Sequence, residues 1–173
     1  MDAEAIKTRI RDAFSGVEFP GDWCLRASHE GEEPYLVEKA FAGKRDWRTL
    51  EPSFLDQAPD GYASALSFFS DEAFRFYLPA YLIADLDDKL GTATPVFHLT
   101  HGFEDRARTE KLNPRRYGER TWSESCRHKF AVFDRTQVAA IVAYLEFKRE
   151  ADDFARPRID QALANYWRDR AAE

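Results

Sequence analysis

The chain has 173 residues, of which 44% are hydrophobic and 14% are aromatic, and it carries a formal net charge of −6. A length near ~150 residues is ordinary for one domain, so we predict a single domain over residues 1–173 with a sizeable core. The acidic balance argues against general affinity for nucleic acids or anionic membranes.

The sequence carries no sign of export or of a membrane span. The N-terminal stretch MDAEAIKTRIRDAF mixes charges and lacks the apolar region of a secretory signal, and the longest uncharged apolar run, near Leu78, is too short to cross a bilayer. Two cysteines, Cys24 and Cys126, could form at most one disulfide, which a chain of this size does not need. We expect a cytoplasmic protein with reduced thiols.

The N-terminal part of the chain is predicted to be helical. Apolar residues at helical spacing predict a first helix over residues 2–14. Turn chemistry at residues 19–22 starts a connection that could include a short strand. Pro34 fits the first position of a second helix and Gly43 its end. A short helix at residues 62–69 then leads into the centre of the chain.

The stretch from Leu66 to Leu90 predicts a buried central helix around which the fold is organised. Ser70 can cap its N-terminus, and two carboxylates follow in the first turn, where the helix dipole favours negative charge. From residue 73 to residue 84 the only strongly polar side chain is Arg75, which leaves no face for water. Pro79 removes one backbone amide and predicts a kink.

The C-terminal half combines ambiguous segments with clear helices. The short apolar runs 95–99 and 129–133 could be strands that pair into a minor two-stranded β ribbon, or buried turns. The stretch 102–125 between them has no apolar period and is predicted to be a mobile loop. A capping box at Asp134 predicts a helix over residues 135–150, and a last helix after residue 157 should pack against it as a hairpin. The predicted fold class is mainly α.

The run ALSFFSDEAFRFYLPAYL, residues 65–82, resembles the signature of an uncharacterised bacterial family, the domain-of-unknown-function family 6714. Phe41, Trp47 and Leu50 before the run, and the Tyr166–Trp167 pair near the end, extend the resemblance over roughly residues 33–170. The family brings no established activity, cofactor or catalytic residue. The resemblance implies a compact bacterial domain.

Catalytic and metal-binding patterns are weak. His98 and His101 form an H-x-x-H pair, and Cys126 with His128, together with Cys24, could in principle complete a tetrahedral zinc site. The pair lacks the glutamate of a zincin helix, so we predict no metal, no cofactor and no catalytic residue. A metal-assisted hydrolase using His98, His101 and Cys126 is retained as an alternative.

Charge clusters supply the remaining candidates. We predict that a partner is bound by six acidic residues and two anchors. The acidic residues are Glu30, Glu32, Glu33, Asp85, Asp87 and Asp88, and the anchors are Arg116 and Trp122. Trp23 is a further candidate anchor. Residues 106–120 carry six basic and two acidic residues beside Tyr117 and Trp122, a pattern that fits RNA or phosphate contact but that we attribute to docking on the chain's own acidic surface.

A small acidic helical chain without a reactive motif more often binds another protein than catalyses a reaction. We therefore predict a cytoplasmic bacterial protein-binding module, of which one version is an immunity or antitoxin-like inhibitor of a basic protein. The alternatives are the hydrolase and a nucleic-acid accessory protein that uses residues 106–120.

Overall fold

A computed structural model describes residues 1–60 and 64–173, and its regular structure is helical, which confirms the mainly α prediction. The helices in chain order are α1 (Ala3–Phe14), α2 (Glu33–Phe41), α3 (Pro52–Gln57), α4 (Asp71–Leu86), α5 (Pro95–Thr100), α6 (Pro114–Tyr117), α7 (Trp122–Phe130), α8 (Arg135–Ala151), α9 (Arg156–Ala162) and α10 (Arg168–Ala172). A π-helical turn, Leu163–Trp167, joins the last two. None of the helices in the described ranges has the length and apolar character that crossing a membrane requires.

The possible β ribbon is not confirmed. Residues 95–99 belong to α5, and residues 129–130 end α7. Pro95 fits the first helical position because an amide there would have no partner within the helix. Across the described residues, β pairing is limited to isolated bridges.

Two other predicted segments also differ from the structure. The predicted mobile loop 102–125 contains a 3₁₀ turn at Asp105–Arg108, the single turn α6 and the start of α7. Of the helix predicted at 62–69, residues 62–63 lie outside the described residues, and the rest contains a 3₁₀ turn at Ala65–Ser67.

The chain divides into two compact units. We call residues 7–98 the α4 unit, and residues 1–6 with 99–173 the α8 unit. Each unit has its own buried aromatic cluster. The single domain over residues 1–173 stays a prediction.

Helix α4 is buried along nearly its whole length, as predicted. The Oγ of Ser70 accepts a hydrogen bond from the Ala73 amide at 3.0 Å and caps the helix. From Ala73 to Ala84 every residue is buried except Arg75 and Ile83. Pro79 lies inside the helix, which continues to Leu86, and the kink expected there stays a prediction.

Aromatic rings pack α4 against α2. The ring of Phe41, on α2, lies 4.8 Å from the rings of both Phe69 and Tyr77, measured between centroids. The Tyr77 hydroxyl donates a hydrogen bond to the Lys44 carbonyl at 2.7 Å. Burial raises the pKa of Tyr77, so this hydroxyl stays protonated as a donor.

The α8 unit is built on a capped helix and a tryptophan. Asp134 and Gln137 form both bonds of the predicted capping box at the start of α8. The predicted hairpin is present, because Arg149 on α8 forms an ion pair with Asp160 on α9. The indole Nε1 of the fully buried Trp167 donates a hydrogen bond to the Leu99 carbonyl at 2.7 Å, so the one polar atom of this side chain is satisfied inside the core.

Asp56 fastens the chain that follows α4 to the end of α3. One carboxylate oxygen of Asp56 accepts from the amides of Gly91, Thr92 and Ala93 at 2.8–3.0 Å. Burial alone would raise the pKa of Asp56, but these amides favour the charged form and lower the pKa to about 2.

Because this pKa is depressed on folding, the charge of Asp56 stabilises the fold above the ordinary pKa of about 3.9. Asp56→Asn should lower the free energy of unfolding at pH 7 by about 1–3 kcal/mol, and the difference from the parent chain should shrink as pH falls from about 4 towards about 2. Urea denaturation at several pH values measures it. Glu51→Gln is the control, since Glu51 makes no side-chain capping bond. A difference that does not change with pH would contradict this assignment.

Candidate functional site

The residues of the alternative thiol and metal chemistry take part in contacts within the fold. The Cys126 thiol donates to the His101 carbonyl at 3.4 Å, and a Cβ on Gly102 would collide with its sulfur. Burial raises the pKa of Cys126 to about 11, so the thiol is protonated at neutral pH. Burial also lowers the pKa of His101, whose ring packs 4.8 Å from that of Trp122.

The other histidines and the second cysteine each have a different environment. His98 is half-buried in α5, and His128 is exposed in the last turn of α7. Burial raises the pKa of Cys24, whose sulfur lies 3.7 Å from the Ser70 hydroxyl. Among residues 1–60 and 64–173, no three side chains of the types that ligate metals are grouped to hold an ion.

The acidic residues at the end of α4 have structural roles. The Lys89 amide donates to the Ala84 carbonyl at 2.9 Å and the Asp88 amide to the Asp85 carbonyl at 3.1 Å, the two bonds of a Schellman motif. Asp88 takes the left-handed position of this motif, with φ of 55°. The carboxylate of Asp87 lies 2.5 Å from the Nζ of Lys7, which is 7% exposed. Asp87 therefore holds a buried lysine, while Asp85 is half-buried.

The segment before α2 lies along that helix, with Leu25 buried and Asp22 and Trp23 exposed. The Asp22 carboxylate accepts from the Gly43 amide at 2.7 Å, just past the end of α2. Farther along, the Nε of Arg26 donates to Glu38 at 2.6 Å, and its guanidinium lies 4.4 Å from the Tyr35 ring centroid. Segment and helix therefore run in opposite directions, held at both ends.

Trp23 is the large aromatic residue that this segment exposes most. Its side chain is 84% exposed. Gly21 has φ of 98°, and a Cβ there would lie 2.5 Å from the indole Nε1 of Trp23. The left-handed backbone therefore favours glycine here, and a Cβ would displace the exposed indole.

Glutamates border the other end of the segment. Glu30 and Glu32 are exposed, and Glu33 is half-buried in the first turn of α2. The Nδ1 of His29 lies 3.5 Å from the Tyr35 hydroxyl, and Tyr35 is 46% exposed. We call these residues, together with Trp23 at the other end of the same segment, the Trp23 face (residues 23, 29, 30, 32 and 35). Its histidine and tyrosine were missed in the sequence, because an exposed aromatic residue belongs to no periodic pattern.

The two predicted acidic clusters do not form one surface. Arg26, beside the first cluster, pairs in a β-bridge with Phe69, which immediately precedes the cap of α4. Asp85, Asp87 and Asp88 lie at the opposite end of this 16-residue helix. At 1.5 Å per residue the two ends are ~24 Å apart.

The basic loop, residues 106–120, is held by backbone hydrogen bonds and exposes most of its residues. The Leu112 amide donates to the Arg120 carbonyl at 2.9 Å, and the Trp122 amide to the Glu110 carbonyl at 3.1 Å. Within it, Lys111 pairs with Glu119 at 2.5 Å. Every residue from 113 to 120 is exposed, so this part of the loop does not dock on the chain's own acidic surface, whereas Arg106 lies 3.7 Å from Glu104.

The two predicted anchors beside the loop differ in exposure. Arg116 is exposed, with its guanidinium 5.2 Å from the ring centroid of Tyr117, which is itself 41% exposed. Trp122 is half-buried against His101, so it offers a partner only part of its ring.

The environment of Cys126 predicts an unreactive thiol. With a pKa of about 11, only about one thiol in a thousand is ionised at pH 8, and thiolate is the reactive form. In a Cys24→Ser variant, iodoacetamide at pH 8 should leave Cys126 unmodified in the native protein and modify it in urea, as measured by mass spectrometry. A Cys126→Ser variant provides the comparison with Cys24, which is less buried. Rapid native labelling of Cys126 would return thiol chemistry to consideration.

Comparison with known proteins gives a family and no activity. The model of a family of unknown function, DUF6714, matches residues 2–171. No curated protein and no solved structure matches the chain.

Proposed function

This chain belongs to the DUF6714 family, and from that premise we propose that it is a protein-binding module whose Trp23 face docks on a basic surface of another protein. The observation that carries the proposal is the indole of Trp23, which is 84% exposed on a segment bordered by Glu30 and Glu32. Tryptophan and tyrosine dominate binding energy at protein interfaces when a partner covers them.

Charge supports a basic partner. The two exposed glutamates of the Trp23 face, Glu30 and Glu32, repel acidic surfaces and attract basic ones, and the whole chain carries −6. We further propose that the protein acts in the bacterial cytoplasm as an immunity or antitoxin-like inhibitor, because an acidic protein of 173 residues can cover the functional surface of a basic toxin. The hydrolase alternative gains no support, since among residues 1–60 and 64–173 no three side chains that could ligate a metal are grouped to hold an ion.

The test separates the aromatic anchor from the charges. A basic partner is first captured from a bacterial lysate and identified, and its binding kinetics are then measured with Trp23→Ala, with Glu30→Lys/Glu32→Lys, and with the control Asp12→Lys/Glu18→Lys. The control residues are exposed in the same unit and undergo the same charge change. Trp23→Ala should weaken binding by about 2 kcal/mol or more, roughly 30-fold, through faster dissociation.

The glutamate reversal should instead slow association, and its effect should fade at high salt, where charges are screened. The control pair should change the association rate much less. A partner that binds all three variants like the parent chain would refute the Trp23 face as the binding surface.

The basic loop supports a second candidate, contact with single-stranded RNA. Its outward arginines and the exposed Tyr117 combine charge with a ring on which a base can stack. Binding of a fluorescent 12-nucleotide RNA should weaken with Arg115→Glu/Arg116→Glu, and the salt dependence should become less steep by about one unit per lost phosphate contact. Arg9→Glu/Lys39→Glu is the control, with exposed residues outside the loop. Equal loss in both variants would show only the effect of net charge.

A further inference from the structure

The α4 unit contains a small cavity that the proposed function does not use. It lies among the end of α1, the 3₁₀ turn Trp47–Thr49, the start of α3 and the second half of α4, and its volume is about 180 Å³. Its apolar walls come from Leu50, Pro52, Leu55, Ala80, Ile83 and Ala84. Such a cavity accepts an apolar group by shape rather than by hydrogen bonds.

The size of the cavity limits the group that it can hold. A cavity of about 150 Å³ lined by apolar side chains holds one benzene molecule. The cavity of the α4 unit is slightly larger, so a phenyl ring or a branched alkyl group fits it and a larger ring system does not. Arg11 and Arg48 line it and are both exposed, so the cavity reaches solvent on that side.

The charged groups around the cavity favour an anion. Asp87 is the carboxylate in the lining, but it is engaged by Lys7 at 2.5 Å and by Lys89 at 3.4 Å. Arg48 donates to Asp46 and to the Ser15 carbonyl, each at 3.2 Å, which positions its guanidinium and leaves further N–H donors. Arg11 lies in the last turn of α1. The lining therefore offers two guanidinium groups, while its carboxylate is already paired.

Trp47 also lines the cavity. Its side chain is 3% exposed, and its Nε1–H is buried with no hydrogen-bond acceptor among the described residues. A buried donor without an acceptor costs free energy. The guanidinium of Arg48 lies 4.6 Å from the centroid of the Trp47 ring, which places this cation beside the aromatic part of the lining.

We propose that this cavity binds a small organic carboxylate, whose phenyl or branched alkyl group enters between Leu50 and Ile83 while its carboxylate meets Arg11 and Arg48. The apolar group loses its contact with water, and the carboxylate forms charge-assisted hydrogen bonds with the two guanidinium groups. The ligand is either a free acid or the C-terminal residue of a peptide, since both present the same two groups. This site is independent of the Trp23 face and stands whether or not that face binds a protein.

The probes are phenylacetate and 3-methylbutanoate, with phenylacetamide and 3-methylbutanamide as uncharged controls of the same shape. Binding to the full chain is measured by titration calorimetry and by NMR shifts of the indole N–H signals, with Trp47→Phe to assign the signal of Trp47. Each acid should bind with a Kd below about 1 mM, at least tenfold more tightly than its amide, since losing one charge-assisted bond costs about 1.4 kcal/mol or more.

Arg11→Gln and Arg48→Gln should each weaken binding of the acids several-fold and leave binding of the amides unchanged. Arg9→Gln is the matched control, because Arg9 is exposed on α1 and does not line the cavity. A peptide ending in leucine and its C-terminal amide distinguish the two sources of the carboxylate. No binding at millimolar concentration, or equal binding of acid and amide in the parent chain, would overturn the proposal.

Discussion

The α4 unit depends on enclosing a helix that has no polar face. Burying α4 on all sides requires neighbours around its whole circumference, and each must meet it with apolar atoms or paired polar ones. Phe41 and Phe69 pack on Tyr77, and the Tyr77 hydroxyl is paired with a backbone carbonyl. The Asp56 carboxylate holds the chain that leaves α4 against the end of α3. The packing of the short helices α2 and α3 thus follows from the composition of one longer helix.

The sequence predicted an element well where a local signal and an apolar period coincide. Ser70 and Asp134 cap helices whose apolar residues continue for several turns. The predicted start of each helix agrees with the observed start to within one residue. Thr121 and Glu124 form an equally complete capping box, with T-x-x-E visible in the sequence. It was missed because α7 buries only Ser123 and Phe130, too few residues for an apolar period.

The structure of the short runs 95–99 and 129–133 could not be predicted, for a different reason. A strand and a buried helical turn of five residues have the same apolar composition, so periodicity cannot separate them. The outcome was decided by neighbours distant in the sequence, such as Trp167, whose indole bonds to the carbonyl of Leu99. The same limit applies to the cavity, whose lining combines Arg11, Trp47 and Ile83 from three separate segments. No spacing rule connects them.

Charge counting in the sequence treated all the carboxylates as one acidic surface, and the structure separates them. Asp87 pairs with Lys7, and Asp88 ends α4 in a left-handed conformation, so both contribute to the fold. The cluster around Glu30 follows Arg26, which pairs with Phe69 just before the other end of α4. The length of α4, ~24 Å, is about three Debye lengths at physiological ionic strength, where one length is about 8 Å. The two clusters therefore act on a charged partner almost independently. Only the cluster around Glu30 lies on a segment that also exposes a tryptophan, so it alone combines charges that speed association with an aromatic residue that can anchor a partner.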